Sequence, residues 1–138
     1  MNAPNLITAG IVLLTVVAIE SGGLFLLTVV RGKQKANALQ TSFFRAGHAH
    51  AGVLVILGLV TLLLVDGSGA TGPVLAAPTL VLSAAILMPA GFFLSVTGDD
   101  PQRPNGFAVL LYVGAAALAV GLILGGVGLI GAGVAASA

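Results

Sequence analysis

Polar stretches divide this chain into four long apolar segments. Apolar residues fill most positions of about 6–30, 43–65, 78–97 and 107–135, with short polar connections between them. At about 1.5 Å per residue, a helix over each segment is long enough to cross a hydrocarbon core of about 30 Å. The segments lack the strict alternation and the short length of strands in a membrane barrel. The pattern therefore predicts four transmembrane helices.

The short connections also predict how these helices are arranged. Consecutive helices joined by short loops run antiparallel to each other. The predicted fold class is therefore all-α, a polytopic membrane protein built as an antiparallel bundle of four transmembrane helices. A single domain is expected over residues 1–138.

Composition narrows the class of protein further. Hydrophobic residues make up 58% of the chain and charged residues 7%, and the mean hydropathy is +1.16. A soluble domain carries about 25% charged residues. Soluble enzymes, nucleic-acid binders and disordered tails are therefore excluded, and the lipid bilayer is the expected partner. Cysteine is absent, which excludes disulfides and thiolate metal sites.

Positive charges are confined to two of the three connections. Four cations lie around the first connection and one in the third, namely Arg31, Lys33, Lys35, Arg45 and Arg103. The positive-inside rule therefore predicts cytoplasmic first and third connections and both termini outside. On the simpler interpretation, Arg45 and the lysine-rich loop anchor this topology and bind anionic headgroups rather than a specific ligand.

Ionisable residues inside the apolar segments are the candidate functional residues, because burying a charge at the bilayer centre costs about 2.5–3.5 kcal/mol or more. Glu20 lies near the middle of the first segment, and His48 and His50 lie near the start of the second. Antiparallel helices bring these residues into adjacent layers of the inner half. We expect Glu20 and the two histidines to form one connected buried site, which Met88 and Tyr112 join.

The spacing of the histidines limits what they can bind together. Positions i and i+2 are about 200° apart on a helix, so His48 and His50 point to opposite sides and cannot chelate one ion. They serve two sites, or one of them is structural. Small residues leave room nearby for another helix or a flat ligand, namely Ala46, Gly47, Ala49, Ala51 and Gly52.

Residues 45–52, Arg-Ala-Gly-His-Ala-His-Ala-Gly, resemble the His-x-His helix of haem–copper oxidases and nitric oxide reductases. In that family the two histidines are axial ligands of two haem irons. The resemblance implies haem b or a transition metal at His48 and His50, with Met88 or a second subunit completing the coordination. It does not imply oxygen reduction, because the chain has no further histidine. The expected role is accessory, beside a membrane electron-transfer chain.

The whole chain also resembles uncharacterised four-helix bacterial integral membrane proteins, which implies topology and no activity. The expected location is the bacterial cytoplasmic membrane.

A second resemblance supports a different function. The lone carboxylate Glu20 and the glycine heptad Gly114, Gly121 and Gly128 are similar to small multidrug resistance transporters. There the carboxylate exchanges protons for cationic substrates, and the fourth helix makes the dimer. The chain departs from that family because it has no Trp and one Tyr to line a pocket.

Two structural interpretations remain beside these functions. A buried contact of Glu20 with His50 or Arg45 could serve packing alone, and the protein could be a structural or assembly subunit of a membrane complex. Enzymatic activity is disfavoured because the serines have no plausible catalytic triad.

The fourth segment is rich in glycine. Gly121 and Gly125 form a Gly-x-x-x-Gly motif, which Gly128 extends, and such a ridge lets two helices cross closely. The ridge packs either inside the bundle or in a homodimer. The distribution of glycines around more than one face favours the homodimer.

Overall fold

The computed structural model describes residues 1–137, so the last residue of the predicted domain, 138, lies outside it. The predicted all-α bundle of four antiparallel helices is confirmed, and residues 1–137 contain no strand. Each helix, with the 3₁₀ turn before it where there is one, is long and apolar enough to cross a membrane. The helices are α1 (Ala3–Val30), α2 (Ala38–Gly67), α3 (Ala77–Leu94) and α4 (Val109–Ala136), and 3₁₀ turns at Gly72–Ala76 and Gly106–Ala108 precede α3 and α4.

The first two helices begin earlier than their apolar segments do. At α1, the Asn2 side chain accepts a hydrogen bond from the Asn5 backbone N–H at 2.9 Å. At α2, Asn37 and Gln40 form a reciprocal capping box, in which each side chain accepts from the other's backbone N–H. Such caps satisfy N–H groups that lack partners within the helix. The polar residues before each apolar segment therefore add about one helical turn.

The third helix ends at Leu94, before the predicted position 97, and Asn105 caps this end. Its backbone N–H donates to the Ser95 carbonyl at 2.7 Å, and its side-chain amide donates to the Leu94 carbonyl at 3.0 Å. Carbonyls at a helix end need such donors from outside the helix. The Asn105 side chain also accepts from the Phe107 N–H at 2.9 Å and so caps the turn that leads into α4.

The helices differ in how much of their surface is buried. α3 lies between α2 and α4 and packs extensively against both, whereas α1 packs chiefly against α2. A core cluster joins α2 to α3 through Leu54, Val55, Ala84 and Ala85. No residue of α1 is buried. α1 is therefore the most loosely attached helix of the bundle.

The glycine ridge of α4 faces α3 in the same chain. A Cβ atom added at Gly121 would lie 3.0 Å from Leu80 Cβ and 3.2 Å from the Ala77 carbonyl oxygen, and one at Gly125 would lie 3.4 Å from Ala77 Cβ. The space beside Gly114 is filled in the same way by Met88, and the space beside Gly128 by Val74. A homodimer through α4 would therefore have to use another face of this helix.

Polar contacts join helix ends and connections at each end of the bundle. At one end the Asn37 side chain donates to Asp100 Oδ1 at 2.7 Å, and Gln40 Nε2 donates to the Gly98 carbonyl at 2.9 Å. These bonds bring the first connection, 31–37, and the third, 95–105, together. At the other end Asn5 Nδ2 donates to Asp66 Oδ1 at 2.6 Å, which joins the start of α1 to the end of α2.

Candidate functional site: an apolar cleft beside His48

The two imidazole rings contact different helices. A Cβ added at Gly23 of α1 would lie 3.3 Å from Cε1 and Nε2 of His48, and one at Gly22 would lie 3.4 Å from its Nδ1. His50 instead packs against the Phe92 ring of α3, with 4.9 Å between ring centroids. The absent side chains of Gly22 and Gly23 therefore make the space that the His48 ring occupies against α1. The two histidines therefore have different surroundings and belong to separate candidate sites.

His50 has a fixed tautomer. Its Nδ1 lies 2.7 Å from the Ala46 carbonyl oxygen, one turn back along α2. A carbonyl oxygen can only accept, so Nδ1 carries the proton and Nε2 of the neutral ring keeps a free lone pair. The ring borders a small apolar recess of about 160 Å³, lined by Ala49, His50, Val53 and Leu54.

His48 lines a larger cleft and makes no hydrogen bond within residues 1–137. The cleft has a volume of about 420 Å³ and lies between α1, α2 and α3. Its walls are almost entirely apolar. The lining residues are Ile11, Val12, Thr15, Ala18, Ile19 and Gly22 of α1, His48, Ala51 and Val55 of α2, and Leu82, Ala85, Ile86, Pro89 and Phe93 of α3.

Small side chains and the loose packing of α1 leave this cleft open. Ala18, Ala51 and Ala85 line it where larger residues would fill it. The Thr15 hydroxyl donates to the Val12 carbonyl of its own helix at 2.6 Å, so its donor is already used. His48 therefore supplies the free hydrogen-bond donor of the cleft. An apolar cavity with few polar groups is suited to an apolar molecule whose orientation those groups fix.

The structure does not pair Glu20 with either histidine. The Glu20 side chain is exposed on α1 and makes no hydrogen bond or ion pair within residues 1–137. Arg45 is also exposed and without an ionic partner there. The ion pair found in the described chain joins the Met1 ammonium group to Asp66 Oδ2 at 3.2 Å. The connected buried site expected from the sequence is therefore not formed, because Glu20 is exposed and pairs with neither histidine.

The Met88 side chain is directed toward α4, and Tyr112 lies on the outer surface of that helix. The Met88 side chain packs into the space at Gly114 of α4 and against the core cluster. Tyr112 is 75% exposed on the surface of α4. Residues 1–137 contain no group of three or more His, Cys, Asp or Glu side chains that could hold a metal ion. A bare transition-metal ion therefore has no assembled set of protein ligands here.

Sequence reasoning identified His48 but not the cleft. The α3 residues that complete it, such as Leu82, Ile86 and Pro89, belong to a uniformly apolar segment that gives no signal of a cavity. The pair Gly22-Gly23 was the available signal, because adjacent glycines in a membrane helix permit the close approach of a bulky group.

Comparison with known proteins finds no match: no family model, no curated protein and no solved structure is significantly similar to this chain. The proposals below therefore rest on the sequence and on the geometry of the cleft and of the two histidines.

Proposed function

We propose that this is an integral membrane protein that binds a small, largely apolar molecule with one hydrogen-bonding group in the cleft between α1, α2 and α3. The observation that carries the proposal is the free imidazole of His48 on the wall of an otherwise apolar cavity of about 420 Å³. Lipid-soluble molecules with a carbonyl or hydroxyl group have this chemistry.

The physical case depends on the surroundings of His48. A polar group in an apolar environment gains from a hydrogen bond because water does not compete for it. A neutral imidazole has one N–H donor and one nitrogen acceptor, so it can pair with either a carbonyl or a hydroxyl group. The apolar wall of Ile11, Val55 and Ile86 would hold the rest of the molecule by dispersion and close packing.

A second candidate is haem binding through His50, in an accessory electron-transfer role. The supporting observation is the 2.7 Å bond from Nδ1 to the Ala46 carbonyl. Histidines that ligate metals typically donate their other ring nitrogen to such an acceptor. Because Met88 packs against α4, His50 would hold the haem in this chain and a further protein ligand would come from a second copy.

Proton-coupled transport through Glu20 is an alternative with less support, because Glu20 does not line the cleft and provides no carboxylate there.

We also propose that the protein lies in a bacterial cytoplasmic membrane. In this orientation the first and third connections, which carry the cations, are on the cytoplasmic side.

One experiment tests both binding proposals. The variants His48→Leu and His50→Leu are purified in detergent, and each is titrated with a short-chain alkyl naphthoquinone and, separately, with haemin. We expect His48→Leu to weaken quinone binding about threefold to tenfold, the range for one lost hydrogen bond, and to leave haem binding unchanged. We expect His50→Leu to abolish any haem absorption band and to leave quinone binding unchanged.

Each histidine variant is the control for the other, since both replace an imidazole of α2 by a leucine. Ala18→Phe adds a second test, because the larger ring fills the cleft from α1 and should prevent quinone binding. Quinone binding that tolerates both His48→Leu and Ala18→Phe would disprove the cleft proposal. A haem band that survives His50→Leu would disprove the haem proposal.

A further inference from the structure

The exposed side of α1 carries a regular seam with one polar position. The seam residues recur at alternating intervals of four and three, which is the heptad spacing of helices that pair along one stripe. All of them are exposed. We call this set the Glu20 seam: Leu6, Gly10, Leu13, Val17, Glu20, Leu24 and Leu27.

The seam lies beside the face of α1 that contacts the bundle. That contact face contains Gly22 and Gly23, which lie against His48, and Val12 and Ile19, which pack against the core cluster. At about 100° per residue, these four residues lie about 60° to 160° around the helix from Glu20. All seven seam residues are exposed, so no other helix of the chain covers the seam.

Glu20 makes this uncovered face unusual. Apolar side chains such as Leu13 and Leu24 are stable in contact with lipid, whereas a carboxyl group in contact with lipid is unfavourable. Glu20 lies about ten residues, or roughly 15 Å, from the end of α1 at Val30. Arg31, the nearest cation along this helix, is one residue further and too far away to pair with it. Glu20 makes no hydrogen bond or ion pair within residues 1–137, so a partner from outside the chain can bind its carboxyl group.

We propose that the Glu20 seam is the interface of a parallel homodimer in which the Glu20 carboxyl groups of two copies hydrogen-bond to each other. All copies insert with the same orientation, so a two-fold axis along the membrane normal brings Glu20 of one copy to the same depth as Glu20 of the second. A protonated carboxyl group donates its O–H to the other carboxyl oxygen.

The remainder of the seam suits this arrangement. Leucine and valine at the other positions interdigitate in a parallel pair, and Gly10 allows close approach near the opposite end. One polar position in such a seam fixes the register of the two helices. The close-contact ridge of α4 is occupied by α3, whereas every residue of the Glu20 seam is exposed. The proposal does not depend on any ligand in the cleft.

Cysteine cross-linking tests the interface, and the chain has no native cysteine. Leu13 is in the seam, whereas Leu14 is displaced about 100° around the helix, and the two are 59% and 74% exposed. Purified Leu13→Cys and Leu14→Cys proteins are reconstituted alone into vesicles of phosphatidylcholine and phosphatidylglycerol and then oxidised. We expect a disulfide-linked dimer from Leu13→Cys and little from Leu14→Cys, because a disulfide requires Cα atoms within about 7 Å.

The role of Glu20 is tested in the Leu13→Cys background by diluting the protein with lipid. We expect Glu20→Gln to retain cross-linking, because an amide pair can replace the carboxyl pair. Glu20→Leu should weaken association about fivefold to thirtyfold, the range for one hydrogen bond between membrane helices. The helix content of these variants, measured by circular dichroism, should be unchanged and shows that they are folded.

Three outcomes would overturn the proposal. They are equal cross-linking of the two cysteine variants, no cross-linking of Leu13→Cys in vesicles that contain this protein alone, and unchanged association in Glu20→Leu. The second outcome, combined with an adduct to another protein in native membranes, would assign the seam to a different partner.

Discussion

The glycines of α4 differ in what surrounds them, although they look equivalent in the sequence. Gly121 lies against α3, where a Cβ would meet Leu80, Val81 and the Ala77 carbonyl at 3.0–3.2 Å. Gly126, five residues on, has nothing within 4 Å of the same position. The first glycine sets the distance between two helices, whereas the second faces open space.

This contrast predicts opposite effects of the same substitution. Gly121→Ala should destabilise the protein by about 1–3 kcal/mol, because part of the contact is rigid backbone and the helices must separate. Gly126→Ala should be neutral or stabilise it by up to about 1 kcal/mol through helix propensity. Thermal unfolding in detergent measures both. Equal effects of the two substitutions would contradict the α3–α4 contact.

At the scale of elements, α1 is attached to the bundle near both of its ends, while Val12 and Ile19 pack against the core cluster between them. Near one end its Gly22 and Gly23 pack against His48, and at the other Asn5 hydrogen-bonds to Asp66. Between these contacts the cleft separates α1 from α3. The width of the cleft therefore depends on how firmly the two attachments hold.

Removing one attachment should loosen the corresponding end of α1. Asp66→Ala should speed amide hydrogen exchange at residues 3–10 about twofold to fivefold, the range for one exposed polar contact. Asp99→Ala is the matched control, since Asp99 is exposed at the opposite end and makes no hydrogen bond within residues 1–137. In Asp99→Ala, amide exchange at residues 3–10, measured by mass spectrometry, should not change. No change at residues 3–10 in Asp66→Ala would show that this contact does not restrain α1.

At the scale of the whole molecule, the first and third connections lie at the same end. The bonds from Asn37 to Asp100 and from Gln40 to the Gly98 carbonyl show this directly. All five Lys and Arg residues lie in these connections or near them. The geometry and the charge distribution therefore agree on an antiparallel bundle with one cationic end.

The positive-inside rule then predicts which end is cytoplasmic. In intact cells, a membrane-impermeant maleimide should label Thr71→Cys, in the second connection, and leave Lys33→Cys unlabelled until the membrane is opened. Both positions are exposed, so accessibility to the reagent depends on the side of the membrane. Labelling of Lys33→Cys in intact cells would reverse the assignment.

The sequence by itself determined the fold class. Four long apolar segments and short polar connections leave few alternatives to a helical membrane bundle, because backbone groups inside lipid must be satisfied within each segment. Helix ends were less predictable, since Asn2, Asn37 and Asn105 act through caps and through bonds to other parts of the chain. The divergence of His48 and His50 follows from helix geometry alone, because residues two apart face opposite sides.

Only the tertiary structure decided which polar residues meet. The sequence pattern predicts similar depths in the membrane for Glu20, His48 and His50. The rotation of α1, however, places Gly22 and Gly23 against His48 and leaves Glu20 exposed. The same applies to Met88, which packs into the gap at Gly114. Uniformly apolar helices contain almost no amphipathic signal that would specify this rotation, so it depends on how side chains fill the spaces between neighbouring helices. The cleft beside His48 is a consequence of that packing.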